Sequence, residues 1–364
     1  MTTIHLLGLF HTIPNDEYTH CAFTNRIRTF SKMMKPFGYN VIEYSNEGST
    51  TNASEIIKVL DKEEFRLLKE LYKKEQPNSV ASIDSTLYKE FSEKLFECLK
   101  DKVKPGDIVA HTFGIAHADL LVKFPLAYHV EVGIGYEEAF APFKVFETNH
   151  WQSWHYGKTN TWGSDYNFVC PMGYDLSEWK PSYEQGEYLL YFGRIIDSKG
   201  LYIIKEIAKR VDYPVILAGE GDPKPFLDPK IPNLSYIGPI TGTARSDLLR
   251  KAKAMLMPTR FVEPLGNAGI EGMLCGTPLI SCDFGAFAET VQHGINGFRC
   301  HTLADYLDAI KKIDMLDRKY IALSTRNKRC LKSVGMQMDR IFKQIKLLDG
   351  EGWYSDNPTD AVWV

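Results

Sequence analysis

Glu263 and Glu271 stand eight positions apart in the stretch RFVEPLGNAGIEGMLCGTPLIS, with Pro264, Gly266, Asn267, Ala268 and Gly269 between them. Eight residues is a little over two turns of α-helix, so a helix beginning near Leu265 carries Glu271 on one face and leaves Glu263 in the preceding loop. Two carboxylates placed this way can address one elongated ligand. The four residues Gly266 to Gly269 are small enough for backbone amides to approach a phosphate or a sugar. Glu271 can accept from two ribose hydroxyls, and Glu263 can bind hydroxyls of a group being transferred. A glycine-rich helix cap with two exposed glutamates is the plain alternative. Upstream, RIIDSKGL sets Arg194 and Lys199 five apart in a loop that opens a helix. Two cations beside a helix N-terminus neutralise a pyrophosphate, because the backbone N–H groups and the helix dipole add to their field. A solvated surface turn is the other use of the same residues.

The elements that must hold these groups alternate short apolar runs with longer helical periods, the pattern of parallel sheets covered by helices on both faces. Strands are expected at Ile4–Phe10, Asn40–Ser45, Asp107–Phe113, Leu126–Val132, Lys144–Thr148 and Tyr166–Cys170, with helical stretches at Phe23–Lys35, Ser54–Lys74 and Ser85–Lys102. The Pro-, Gly- and polar-rich run CPMGYDLSEWKPSYEQGE reads as a linker. Beyond it, strands are expected at Tyr188–Gly193, Pro214–Gly219, Leu234–Gly238, Ala254–Pro258 and Pro278–Cys282, and Leu316–Leu348 is mostly helical. The fold class is therefore α/β with two Rossmann-like domains. The N-terminal domain covers residues 1–173, the C-terminal one 174–334, and the tail from about 335 to 364 crosses back onto the first. Open parallel sheets bind ligands beyond the carboxyl ends of their strands, which makes a cleft between the domains the expected site.

A chain of 364 residues, 44% hydrophobic and 24% charged, is long enough for two globular cores. Its net charge of -3 gives no sign of a general nucleic-acid or anionic-membrane surface. The seven cysteines are scattered and never spaced Cys-x-x-Cys, so they read as free thiols, with neither a zinc site nor a disulfide framework. MTTIHLLGLF reads as a strand, not a signal peptide, and no window is long and apolar enough to span a membrane. A cytoplasmic protein is expected.

GRIIDSKGL, LAGEGD, YIGPI and EPLGNAGIEGMLCGTPLISCDFGAFAETVQHGINGF, in that order, resemble glycosyltransferase family 4, the retaining glycosyltransferases of GT-B fold. CPMGYDLSEWKP is similar to the family's interdomain link. The resemblance implies that Arg194 and Lys199 hold a nucleoside diphosphate, Glu271 the ribose and Glu263 the donor sugar. Gly238, Leu265, Gly266, Asn267 and Ala268 complete that donor pocket. It implies transfer from a UDP- or GDP-sugar to a carbohydrate or other hydroxyl acceptor with retention of configuration. No metal is expected, in keeping with the missing Asp-x-Asp pattern of the other major glycosyltransferase fold. A nucleotide-sugar epimerase and a non-catalytic nucleotide-sugar binding protein are the rivals.

The same resemblance turns attention to the first half. Family members carry a histidine at the end of a strand near the reacting centre. LAYHVEVGIGYEEAF offers His129 for that role, with Glu131 on the same side of the strand to orient it or to bind an acceptor hydroxyl; His111 is the rival. The loop HTIPNDEYTHCAFTNR lacks the family's paired glycines but offers His11, Thr12, Thr19 and His20 to acceptor or phosphate. TNHWQSWHYG offers Trp151, Trp154 and Tyr156 as an acceptor path, or as a loop pinned by its own aromatics. The expected catalytic set is His129, Glu263, Arg194 and Lys199.

Overall fold

The computed structural model describes residues 2–19, 21–76, 81–164 and 166–350. Two compact units emerge, one from Met1–Glu147, Thr161–Tyr174 and Leu331–Val364, the other from Thr148–Asn160 and Asp175–Cys330. The chain passes between units at Glu147/Thr148, Asn160/Thr161, Tyr174/Asp175 and Cys330/Leu331. Thr148–Asn160, expected with the N-terminal domain, groups with the second unit.

In the first unit the strands are β1 (Thr3–Leu7), β2 (Asn40–Ser45), β3 (Glu55–Lys58), β4 (Ile108–His111), β5 (Tyr128–Ile134), β6 (Phe143–Phe146) and β7 (Asn167–Val169). Among the described residues they form one parallel sheet in the order β3-β2-β1-β4-β5-β6-β7. The strands run outward from β1 to β3 and then resume at β4 on the other side of β1, so the order reverses between β1 and β4. Alternate residues serve opposite faces. Ile4, Leu6, Val41, Ile108, Ala110, Val130 and Val132 enter one apolar cluster, while Leu7, Ile42, Tyr44 and Val109 enter another.

The C-terminal helix Leu331–Gly350 belongs to the first of these clusters. Val334, Met338, Ile341, Phe342 and Ile345 recur at helical spacing, are all buried, and pack with Ile27, Phe30 and Met34 of the helix Ala22–Met34. A Cβ at Gly335 would sit 2.9 Å from the Met33 carbonyl oxygen, so only glycine lets the two helices approach this closely.

In the second unit the strands are β8 (Tyr188–Phe192), β9 (Val215–Ala218), β10 (Leu234–Tyr236), β11 (Ala252–Met257), β12 (Leu279–Cys282) and β13 (Gly297–Cys300). Among the described residues they are parallel in the order β10-β9-β8-β11-β12-β13, which reverses between β8 and β11. The loops after those two strands carry Arg194, Lys199 and Glu263.

Three elements differ from the sequence reading. Glu55–Lys58 is an edge strand and not the start of a helix; the helix begins at Lys62, after Asp61, whose side chain forms a capping box with Glu64. Charged Glu55 and Lys58 suit an exposed sheet edge. Gly297–Cys300 adds a strand beyond β12. Asn149–Thr159, read as a loop, is a helix whose N-cap Thr148 accepts from Trp151 N. The seven cysteines are free. Among the described residues no helix is long and apolar enough to cross a membrane.

Candidate functional site

Lys199 ends the short 3-10 turn Asp197–Lys199 after β8, and the helix Leu201–Ala208 follows from Gly200. The lysine Nζ forms an ion pair with Glu263 and lies 4.3 Å from the centroid of the Phe261 ring. The two side chains are only 12% and 8% exposed, so each supplies the countercharge that the other's burial demands. The two loops are also joined through the backbone. Arg260 N and Thr259 Oγ1 donate to Ser198 O at 2.8 and 3.2 Å.

Gly266 then caps the helix Asn267–Leu274 at φ 73°, and a Cβ there would come within 2.5 Å of the Phe287 ring. Its small size therefore serves the fold directly. Among the described residues no side chain caps this helix at Gly266, an arrangement in which an anion or water can serve the first amides. Asn267 and Ala268 are half-buried at this terminus, whereas Leu265 is buried.

Glu271, in the second turn, is 1% exposed and ion-paired with Arg245 of the helix Gly242–Lys251. Burial pushes the Glu271 carboxyl above its usual range, and the Arg245 guanidinium pulls it back. Arg245 lies over two aromatic rings, 4.8 Å from the Phe192 centroid and 5.5 Å from that of Trp179. Thus Glu271 is one half of a buried ion pair, which sets aside the plain reading of a helix cap with two exposed glutamates. Arg194 is exposed, and its carbonyl accepts from Tyr191 Oη at 2.6 Å. Gly238 lies in the loop after β10, and its carbonyl accepts from Gly219 N at 2.9 Å.

Sequence reasoning missed Arg245, which lies 26 residues from its partner with no local pattern to flag it. It also missed Glu289, although that residue stands within a quoted motif. Glu289 accepts from Asn149 N, Asn149 Nδ2, His150 N and His150 Nδ1 at 2.6–3.2 Å. Thr148 Oγ1 donates to Pro264 O at 2.9 Å. These bonds fasten the helix Asn149–Thr159 within the second unit. Its Trp151 is buried and stacks on Trp154 at 4.3 Å between centroids, while Tyr156 is half-buried.

In the first unit His129 makes its hydrogen bonds within the protein. It is the second residue of β5, at the amino end of the strand, and both ring nitrogens are occupied: Nε2 by Phe124 O at 2.9 Å and Nδ1 by His111 Nε2 at 2.9 Å. A carbonyl can only accept, so His129 Nε2 carries the proton, its Nδ1 accepts, and His111 donates. Burial lowers the pKa of both rings. His111 instead ends β4 at the carboxyl side, fully buried, with no partner for Nδ1 among the described residues.

Nor does Glu131 orient His129. Its carboxylate accepts from Tyr136 Oη, Phe140 N and Ala141 N at 2.8–2.9 Å, and burial raises its pKa to about 7. His11 is half-buried, with its pKa lowered to about 4 by burial and by Lys69. Thr12 Oγ1 and Thr24 Oγ1 share a 2.7 Å hydrogen bond, and Thr19 Oγ1 donates to Asp16 O at 3.4 Å. His20 lies outside the described residues.

Residues 186–314 match the family model described as Glycosyl transferases group 1, a span that includes Arg194, Lys199, Arg245, Glu263, Glu271 and Glu289. An uncharacterized glycosyltransferase of Methanocaldococcus jannaschii is 25% identical over 154 residues, 40% of this chain and 37% of that protein. The chain thus spans little more than a third of the length of this curated relative. Among solved structures, sucrose-phosphate synthase from Thermosynechococcus elongatus matches with a TM-score of 0.67 at 14% identity over 95% of this chain and 100% of that one. Anabaena HepE in complex with UDP-glucose matches with a TM-score of 0.66 at 13% identity over 94% and 100%. Identities this low speak to the fold alone, and that fold is two parallel-sheet α/β units matching glycosyltransferases of the GT-B type.

Proposed function

We propose that the protein transfers a sugar from a nucleoside diphosphate donor to an acceptor hydroxyl, with retention of anomeric configuration. The observation that carries this reading is the Lys199–Glu263 pair, which joins the loops after β8 and β11 just before the N-terminus of the helix Asn267–Leu274. Rupture of the bond from the anomeric carbon to the nucleotide leaves negative charge on the diphosphate. Lys199, exposed Arg194 and the helix amides answer that charge as it develops, which is where fixed dipoles and cations lower a barrier most. As Lys199 turns from Glu263 to phosphate, the Glu263 carboxylate becomes available to hydroxyls of the donor sugar. Glu271 takes the ribose hydroxyls.

Retention rests on the family resemblance. The charge at the leaving group is met by side chains and amides, so the reaction is proposed to proceed without a metal. The HepE complex makes UDP-glucose the first donor to try, with GDP-sugars next. The acceptor is a carbohydrate or other hydroxyl compound, bound by groups of the first unit such as His11 and Thr19. None of the relatives described above supports an epimerase.

A panel of UDP- and GDP-sugars in chelator, followed by thermal shift and by nucleoside diphosphate release, tests the reading. One donor is expected to stabilise the fold and to be slowly hydrolysed, with release lost in Lys199→Ala. No binding and no release by any donor, with a broad acceptor set present, would overturn it.

A further inference from the structure

The buried partner of Glu271 carries an inference that deepens the donor assignment and rests on it. A carboxylate that receives two ribose hydroxyls must be charged and must keep an oxygen turned to the ligand. Glu271 sits where neither condition comes free, since it is 1% exposed on a helix packed against its neighbours. Arg245 reaches it from the helix Gly242–Lys251 and pairs with Oε2. The arginine is itself fixed. Its guanidinium lies over Phe192, at the end of β8, and over Trp179, in the segment that enters the second unit. Trp179 is held in turn by Arg326 Nη1, which donates to its carbonyl at 2.8 Å. The next residue, Lys180, donates its N–H to Ser246 Oγ at 2.9 Å, and Ser246 adjoins Arg245.

We propose that Arg245 is a positioning residue of the donor's nucleoside end: it orients the Glu271 carboxylate by pairing with one oxygen, so that the other receives the ribose 2′- and 3′-hydroxyls. Ribose recognition then belongs to the pair rather than to Glu271 alone, and a nucleoside diphosphate lacking those hydroxyls loses contacts that pyrophosphate does not make. The other charged and titratable groups that bear on the carboxylate are Glu178, which repels it, and Cys275 one turn on along its own helix. Arg326 and Arg250 reach it only at the remove of Cys275. Arg245 is the one cation paired with Glu271 among the described residues, so its removal leaves a buried carboxyl that takes up a proton more readily.

The test uses the full chain and compares UDP, GDP and ADP with their 2′,3′-dideoxy counterparts by calorimetric titration between pH 5.5 and 8. Wild type, Arg245→Met, Arg245→Lys and Glu271→Gln are measured. In wild type the diphosphate that binds should lose at least about tenfold in affinity without its hydroxyls, the scale of hydrogen bonds to a charged group, with little change across pH. In Arg245→Met that preference should shrink at the upper end of the pH range and disappear as pH falls and the Glu271 carboxyl takes up a proton. Pyrophosphate binding should stay as in wild type. Arg245→Lys should fall between the two, and it serves if the methionine variant does not fold. A purely structural role predicts something else: a lowered melting temperature with the ribose preference and the flat pH profile intact in both Arg245 variants. That result overturns this inference alone. If wild type binds none of the three diphosphates, the donor assignment falls and the inference with it.

Discussion

Replacing Glu131 by glutamine should change the slope of stability against pH by an amount the structure sets. The Glu131 carboxyl is fully buried, and its pKa is raised from 4.5 to about 7, chiefly by burial and partly offset by donation from Ala141 N, Tyr136 Oη and Phe140 N. A folded pKa above the unfolded one means that the folded state holds the proton more tightly. The group's contribution is therefore complete below about pH 4.5 and is lost as pH rises through about 7. At about 1.36 kcal/mol per unit the loss is about 3 kcal/mol. Glutamine suits the test because its carbonyl oxygen can take the Oε2 position and keep both backbone donors, while its NH2 can donate to the Tyr136 oxygen. The buried histidines His5, His111, His117 and His129, and half-buried His11, have lowered pKa values and act in the opposite sense, with stability lost as pH falls. Because both proteins carry them, they cancel in the difference. Urea denaturation followed by far-ultraviolet circular dichroism from pH 4.5 to 8 should show wild type losing about 3 kcal/mol relative to Glu131→Gln. Parallel curves would refute the reasoning.

Other perturbations follow from the same contacts. Lys199→Ala should lower turnover about 10²–10³-fold, the scale of one lost preorganised donor at a charge-developing centre; single-turnover kinetics at saturating donor would show it. Gly266→Ala should destabilise the second unit by about 1–3 kcal/mol, because its backbone is at φ 73° and its Cβ would strike Phe287, as a melting curve would register. Phe342→Ala should cost about 3–5 kcal/mol, since this fully buried ring joins the C-terminal helix to the first unit's core. Amide hydrogen exchange should then rise first in the helix Leu331–Gly350.

Much of the architecture was legible because parallel strands buried on both faces leave dense apolar runs, and because loops at strand ends carry glycine and charge. β8 and β11 were found this way, and the loops after them drew attention to Lys199 and Glu263, which the structure pairs. β3 was missed because EIIKVL reads equally as a helical start, and the decisive signal was the capping residue Asp61 behind it. The pairing of Glu271 with Arg245 could not be seen: it is a tertiary contact between two helices, and nothing in local spacing encodes it. The place of His129 along its strand was not legible for a different reason. Alternation gives the face of a strand but not where the strand begins, and one that starts at Tyr128 puts His129 at its amino end. The glycine at 266 was read as room for a ligand, whereas backbone angle and the Phe287 ring already require it.

The most direct test of the central claim is nucleoside diphosphate release from a panel of UDP- and GDP-sugars, in chelator, by wild type and Lys199→Ala. Slow release from one donor is expected of wild type, and its loss in a variant that remains folded and still binds that donor. Release that is equal in the two proteins, or that appears only when a divalent metal is restored, would contradict it.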